Sequence, residues 1–117
     1  MNLSCHCGNV KITAEKPETL TSCNCSMCHR YGSLWGYYSP SDIIIEVESA
    51  ETQSYRWGDE DLDFHRCPTC GCVLYWLGLN TDAPPRIALN FRMASHKEIE
   101  PIPVKKFDGA DTWQFIE

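Results

Sequence analysis

The sequence predicts an all-β domain, on three observations. Short β-branched and aromatic runs recur along the chain, and polar or Gly/Pro-containing turns separate them. Pro84-Pro85 and Pro101-Ile102-Pro103 interrupt the C-terminal part before a long helix can form. In order, Val10, Ile12 and Ala14 alternate with polar residues, which is the period of a half-buried strand. Leu20 to Cys25 reads as a second strand, and Ser26 to Tyr31 as a helical turn stopped near Gly32. Leu34 to Tyr38 and Ile43 to Val47 are strand-like runs split by the Ser39-Pro40-Ser41-Asp42 turn. Thr52 to Trp57 and Leu62 to Arg66 flank a turn at Gly58-Asp59-Glu60-Asp61, and Val73 to Leu77 and Ile87 to Met93 follow. Eight short strands in one domain predict a curled all-β architecture.

The 117 residues are expected to form a single domain, 1–117. A chain of this size buries only a modest core, so bound metal would add to its stability. A net charge of −6 argues against a nucleic-acid partner, because phosphates need a basic footprint. No apolar run reaches membrane-spanning length, so no membrane partner is expected. The start of the chain has neither a basic nor an apolar leader region, so no signal peptide is expected, and the cytoplasm is the expected compartment.

Eight cysteines dominate the chemistry: Cys5, Cys7, Cys23, Cys25, Cys28, Cys67, Cys70 and Cys72. Reduced intracellular thiols mean metal binding or catalysis more often than disulfides, and these lie in tight C-x-C and C-x-x-C clusters. In Cys5-His6-Cys7-Gly8, residues i and i+2 of an extended segment face one side, so both thiolates can reach one ion. In Cys67-Pro68-Thr69-Cys70-Gly71, the C-x-x-C sits on a turn. Both clusters end in Cys-Gly, which suggests two knuckles meeting around one ion in a closed, structural four-thiolate site. Cys23-Asn24-Cys25-Ser26-Met27-Cys28 lacks that glycine, and its three thiolates can converge on a metal from one side, leaving a fourth position open. His29 points about 100° away from Cys28 on a helical turn and is a poor fourth ligand. Loop-closure entropy does not decide the pairing. Cys5 and Cys7 can instead join the middle thiols, with Cys67, Cys70 and Cys72 holding the open site; only the Cys-Gly signature favours the first arrangement.

Other residues carry weaker signals. Cys72 reads as a small core residue, with a redox thiol as its functional alternative. His6 and His65 neighbour the knuckles, where supporting roles are commoner than ligation, and His96 is expected at the surface. Trp35, Tyr37, Tyr38, Trp57, Tyr75 and Trp76 read as core aromatics more readily than as a pocket.

Three motifs together are specific: Cys5-His6-Cys7-Gly8-Asn9-Val10, Cys23-Asn24-Cys25-Ser26-Met27-Cys28-His29-Arg30 and Arg66-Cys67-Pro68-Thr69-Cys70-Gly71. Their order resembles the glutathione-dependent formaldehyde-activating enzyme family, also called the GFA or CENP-V domain. The resemblance runs from about Cys5 to Phe91. It implies a β-tent fold shared with methionine sulfoxide reductase B, with two zinc ions per chain. By the family's pattern, Cys5, Cys7, Cys67 and Cys70 hold a structural zinc, and Cys23, Cys25 and Cys28 hold a catalytic one. The implied activity is that of a carbon–sulfur lyase joining glutathione and formaldehyde as S-hydroxymethylglutathione, or the reverse, with a small thiol as partner. Arg30, Arg56, Arg66, Arg86 and Arg92 are dispersed, with no concentrated basic cluster for a glutathione with two carboxylates. The alternatives are a non-catalytic zinc module that binds a partner and, third, a redox enzyme using Cys72.

Overall fold

The structure, a computed structural model, describes residues 1–56 and 62–116. The turn read at Gly58-Asp59-Glu60-Asp61, and Trp57 before it, lie outside the described residues. The predicted class holds: among the described residues, eleven short strands form two sheets, with two short α-helices in the connections.

The smaller sheet joins β1 (Asn2–Ser4), β2 (Val10–Thr13) and β5 (Ile44–Val47) in the order β1-β2-β5, all antiparallel. Val10 and Ile12 are buried while Lys11 and Thr13 face out, as the period-two pattern requires. The larger sheet adds β3 (Leu20–Cys23), β4 (Trp35–Tyr38), β6 (Gln53–Tyr55), β7 (Leu62–Arg66), β8 (Val73–Gly78), β9 (Ile87–Asn90), β10 (Val104–Phe107) and β11 (Phe115–Ile116). Its order is β11-β10-β3-β4-β9-β8-β7-β6. Helix α1 (Ser26–Tyr31) follows β3, and α2 (His96–Ile99) precedes β10. Among the described pairings all are antiparallel but one: β10 runs parallel to β3, with Val104 opposite Leu20 and Phe107 opposite Cys23.

The larger sheet is covered on both faces. One face meets the small sheet in a core that includes Leu3, Ile12, Leu20, Leu89 and Phe91. The other carries a second cluster, Cys28, Trp35, Phe64, Trp76 and Ala88, against which Cys23 and Cys25 pack. Strand β9 shows why: Ile87 and Leu89 enter the first core and Ala88 the second, so the whole strand is buried. Cross-strand neighbours on this second face are Trp35 and Asn90, Tyr37 and Ala88, and Trp76 with both Ala88 and Phe64. The sheet therefore presents an aromatic platform directly beneath α1.

Candidate metal centres

The first group of thiols sits on two hairpin turns. Cys5-His6-Cys7-Gly8 links β1 to β2, and Cys67-Pro68-Thr69-Cys70-Gly71 links β7 to β8. The turns are built alike. The Cys5 N–H donates to Val10 O at 3.1 Å and the Cys67 N–H to Cys72 O at 3.0 Å; the Gly8 N–H returns to Cys5 O and the Gly71 N–H to Cys67 O. Gly8 and Gly71 have φ of 81° and 79°, a conformation that favours glycine, which is why each motif ends there.

The sulfur atoms of Cys5, Cys7, Cys67 and Cys70 all lie within 4.8 Å of one another. Cys5 Sγ is 3.7 Å from Cys7 Sγ, and Cys7 Sγ is 3.6 Å from Cys67 Sγ. Four sulfurs at zinc–thiolate distance in a tetrahedron stand about 3.8 Å apart, so the group fits a tetrahedral ion. All eight cysteines are free. N–H donors already point at the sulfurs: Val10 N–H to Cys5 at 3.3 Å and the Asn9 side-chain amide to Cys67 at 3.6 Å. Burial opposes ionisation of Cys70, but hydrogen bonds from the Cys7 and Cys72 backbone and from the Cys67 and Cys72 thiols outweigh it and bring its pKa down to about 5. At Cys7, a backbone hydrogen bond from Asn9 favours the thiolate, yet burial and the Cys67, Cys5 and Cys70 thiols together push the pKa up to about 12.

The second group is Cys23, Cys25 and Cys28, whose sulfurs also lie within 4.8 Å of one another; among the described residues no fourth Cys, His, Asp or Glu joins them. Cys23 ends β3, Cys25 caps α1, and Cys28 lies one turn into it. The Cys25 sulfur takes the capping role usual for a Ser or Asp oxygen, accepting the Cys28 N–H at 3.3 Å. Buried Trp35 donates its Nε1–H to Cys28 Sγ at 3.3 Å. Burial raises the Cys28 pKa strongly, and it raises that of Cys23 despite backbone hydrogen bonds from Cys25 and Gly109. At Cys25 burial is overcome by hydrogen bonds from the Cys28 backbone and thiol, and the pKa falls.

These three sulfurs open onto a cavity of about 510 Å³. Trp35, Tyr37, Phe64 and Trp76 wall it from the sheet; Phe107, Gly109, Trp113 and Phe115 wall it from the C-terminal hairpin of β10 and β11. Arg86 is the one charged side chain among the described lining residues, and its guanidinium lies 5.0 Å from the Trp76 ring centre. The hairpin is tied down by Asn24, which lies between two of the cysteines: its amide donates to Asp108 at 3.1 Å and its carbonyl accepts the Ala110 N–H at 3.0 Å. A Cβ on Gly109 would stand 2.6 Å from Cys23 Sγ, so only glycine lets the hairpin approach this closely.

The structure thus brings together the two cysteine sets expected from the Cys-Gly signature, and the alternative trio containing Cys72 does not form. Cys72 is half-buried and packs against the first core. His6, His29 and His96 are exposed. His65 bonds Thr52 Oγ1 at 2.8 Å and stacks on Tyr75 at 4.6 Å, and it joins neither sulfur group. Of the aromatics read mainly as core, Trp35 and Trp76 are buried in the second cluster and also line the cavity, while Tyr37 lines it from an exposed position. Asn9, Asn24 and Gly109 escaped the sequence reading. Asn9 accepts from Ser49 N–H and Oγ–H and from Ala50 N–H, while its amide donates to Ala50 O. The positions of Asn24 between two cysteines and of Asn9 two residues after Cys7 were the only available signal.

No curated protein sequence matches the chain. A crystal structure of a Rhodobacter sphaeroides protein shares the fold, with a TM-score of 0.70 at 23% identity, covering 89% of this chain and 99% of that one. Among the described residues, no helix is long and apolar enough to cross a membrane. The family model described as "glutathione-dependent formaldehyde-activating enzyme" matches residues 1–105 of the 117. With nearly the whole chain matched, and with the cysteines of its three motifs gathered into two thiol groups, this protein belongs to the glutathione-dependent formaldehyde-activating enzyme family.

Proposed function

We propose that this chain is a single zinc domain, 1–117, acting as a carbon–sulfur lyase on thiol–aldehyde adducts, in the manner of S-hydroxymethylglutathione formation from glutathione and formaldehyde. Cys5, Cys7, Cys67 and Cys70 would hold a structural zinc, and Cys23, Cys25 and Cys28 a catalytic one. One observation carries the reading: three sulfurs with no fourth partner among the described residues line a cavity wide enough for a small molecule. Zinc bound there would supply an open position and positive charge that favour a thiolate.

The chain's own residues do the rest. The Trp35 and Cys28 N–H groups orient two of the sulfurs. The aromatic walls surround the sulfurs with apolar surface. Tyr37 brings the one hydroxyl among the described lining residues, and burial raises its pKa, so it stays a neutral donor for the aldehyde oxygen. In the forward direction a sulfur–carbon bond forms as the carbonyl π bond breaks, and the thiol proton ends on the new hydroxyl; in reverse the carbon–sulfur bond breaks. Free thiols suit a reducing compartment such as the cytoplasm.

Cobalt substitution tests this. Adding glutathione, cysteine or an alkyl thiol to protein with both sites filled should change the ligand-field and thiolate charge-transfer bands. The response should strengthen as pH rises toward the free thiol's pKa, because binding releases a proton. A spectrum indifferent to every thiol would favour a closed structural site and the partner-binding alternative.

A further inference from the structure

The wall of the cavity constrains the body of the thiol more closely than the sulfurs do. Seven of its described lining residues are aromatic, and Arg86 is the sole charge. Glutathione at neutral pH carries two carboxylates and an ammonium. Arg86 can pair one carboxylate, but the described lining offers no second cation, so the remaining charges of glutathione gain nothing from this wall.

The hairpin sharpens the argument. Phe107, Gly109, Trp113 and Phe115 all lie beyond residue 105, where the family match ends, so this part of the wall is not covered by that match. Trp113 has φ of 59°, an uncommon conformation for a bulky residue. It is held there by its N–H bonding Asp108 O at 2.7 Å, with Asp108 N–H returning to Gln114 O at 2.8 Å. Trp113 and Phe115 remain 71% and 57% exposed beside the cavity, large apolar surfaces with little to cover them. Strain held in place beside an open cavity is commonly found at ligand clamps.

We infer that the cavity takes a thiol, or its aldehyde adduct, with a flat apolar body and a single carboxylate: the body packs on Trp113 and Phe115 while the carboxylate meets Arg86, which lies over Trp76. This rests on the thiol-binding reading of the Cys23, Cys25 and Cys28 centre.

The test is titration calorimetry on zinc-loaded protein, with tryptophan fluorescence as a second readout. The probes are 4-(mercaptomethyl)benzoate, its carboxamide, sulfur-free 4-methylbenzoate, and glutathione. The aryl thiol acid should bind at least about tenfold more tightly than glutathione. Trp113→Ala should abolish that preference, and Arg86→Gln should abolish the preference for acid over carboxamide. The wild-type ranking decides even if a variant misfolds. Glutathione binding as tightly as the aryl thiol acid overturns the inference and leaves thiol ligation standing. If 4-methylbenzoate binds as tightly as its thiol counterpart and both exceed glutathione, the cavity assignment stands and thiol ligation fails. Absence of binding by every aryl probe overturns the inference.

Discussion

Cys67 and Cys25 are both half of a C-x-x-C pair, yet the structure gives them different weight. Cys67 is fully buried, and its turn ties the two sheets together through Asn9 and Cys7. Removing one ligand of a closed zinc site removes folding energy, because metal binding and folding are one equilibrium there. Cys67→Ser should therefore lower the melting midpoint by at least about 10 °C, a loss of about 2 kcal/mol or more. Cys25 caps a six-residue helix, and serine is itself a good cap, so Cys25→Ser keeps that hydrogen bond. It should melt close to wild type and lose only the second metal. Melts combined with metal counting check both; the opposite pattern would mean that the two centres have their roles exchanged. The cysteines were legible because their chemistry is local: spacing alone sets which thiols share a face. Gly109 was not, since its importance comes from a sulfur 86 residues earlier in the chain.

Most elements were also legible, with ends shifted by a residue or two. Strand β7 and helix α1 match their expected ranges, and Gly32 caps the helix with φ of 63°. The run to Met93 divides instead: strand stops at Asn90 and a 3-10 turn takes Phe91–Met93, with the Asn90 side chain accepting the Arg92 N–H. Strands β1, β10 and β11 were missed because they are short, and Val104-Lys105-Lys106-Phe107 lacks alternation; β10 exists because β3 offers it an edge. The loop between β10 and β11 turns on Asp108, whose carboxylate takes the Asn24 amide and the Thr112 N–H and hydroxyl. Those bonds hold its pKa below 3.8, so the tie is present above that value and is lost as pH falls through the lowered pKa. Corrected amide exchange at Ala110 and Thr112 should therefore be the same at pH 7 and pH 5 in the wild type, and faster at both in Asp108→Asn. Protection that fades between pH 7 and pH 5 would show that some other group holds the loop.

For the molecule as a whole, the two thiol groups divide the work unequally. One pins the small sheet to the large one, while the other lies on the far face beneath the C-terminal hairpin. Elemental analysis should find two zinc ions per chain. Mild chelation should take the ion of Cys23, Cys25 and Cys28 first, with little change in circular dichroism; removing the other should collapse the cooperative melt. Folded protein never exposed to chelator yet free of zinc would end the metal reading. The parallel pairing of β3 with β10 has a further effect, on the order of events during synthesis. All four thiols of the first group have been translated once Cys70 has, but β3 waits for a neighbour 84 positions later, Val104 opposite Leu20. Contacts of such long range close late. A nascent chain can therefore gather its first four thiols while the cavity beside the other three still lacks a wall, which forms only after Phe115 has been delivered.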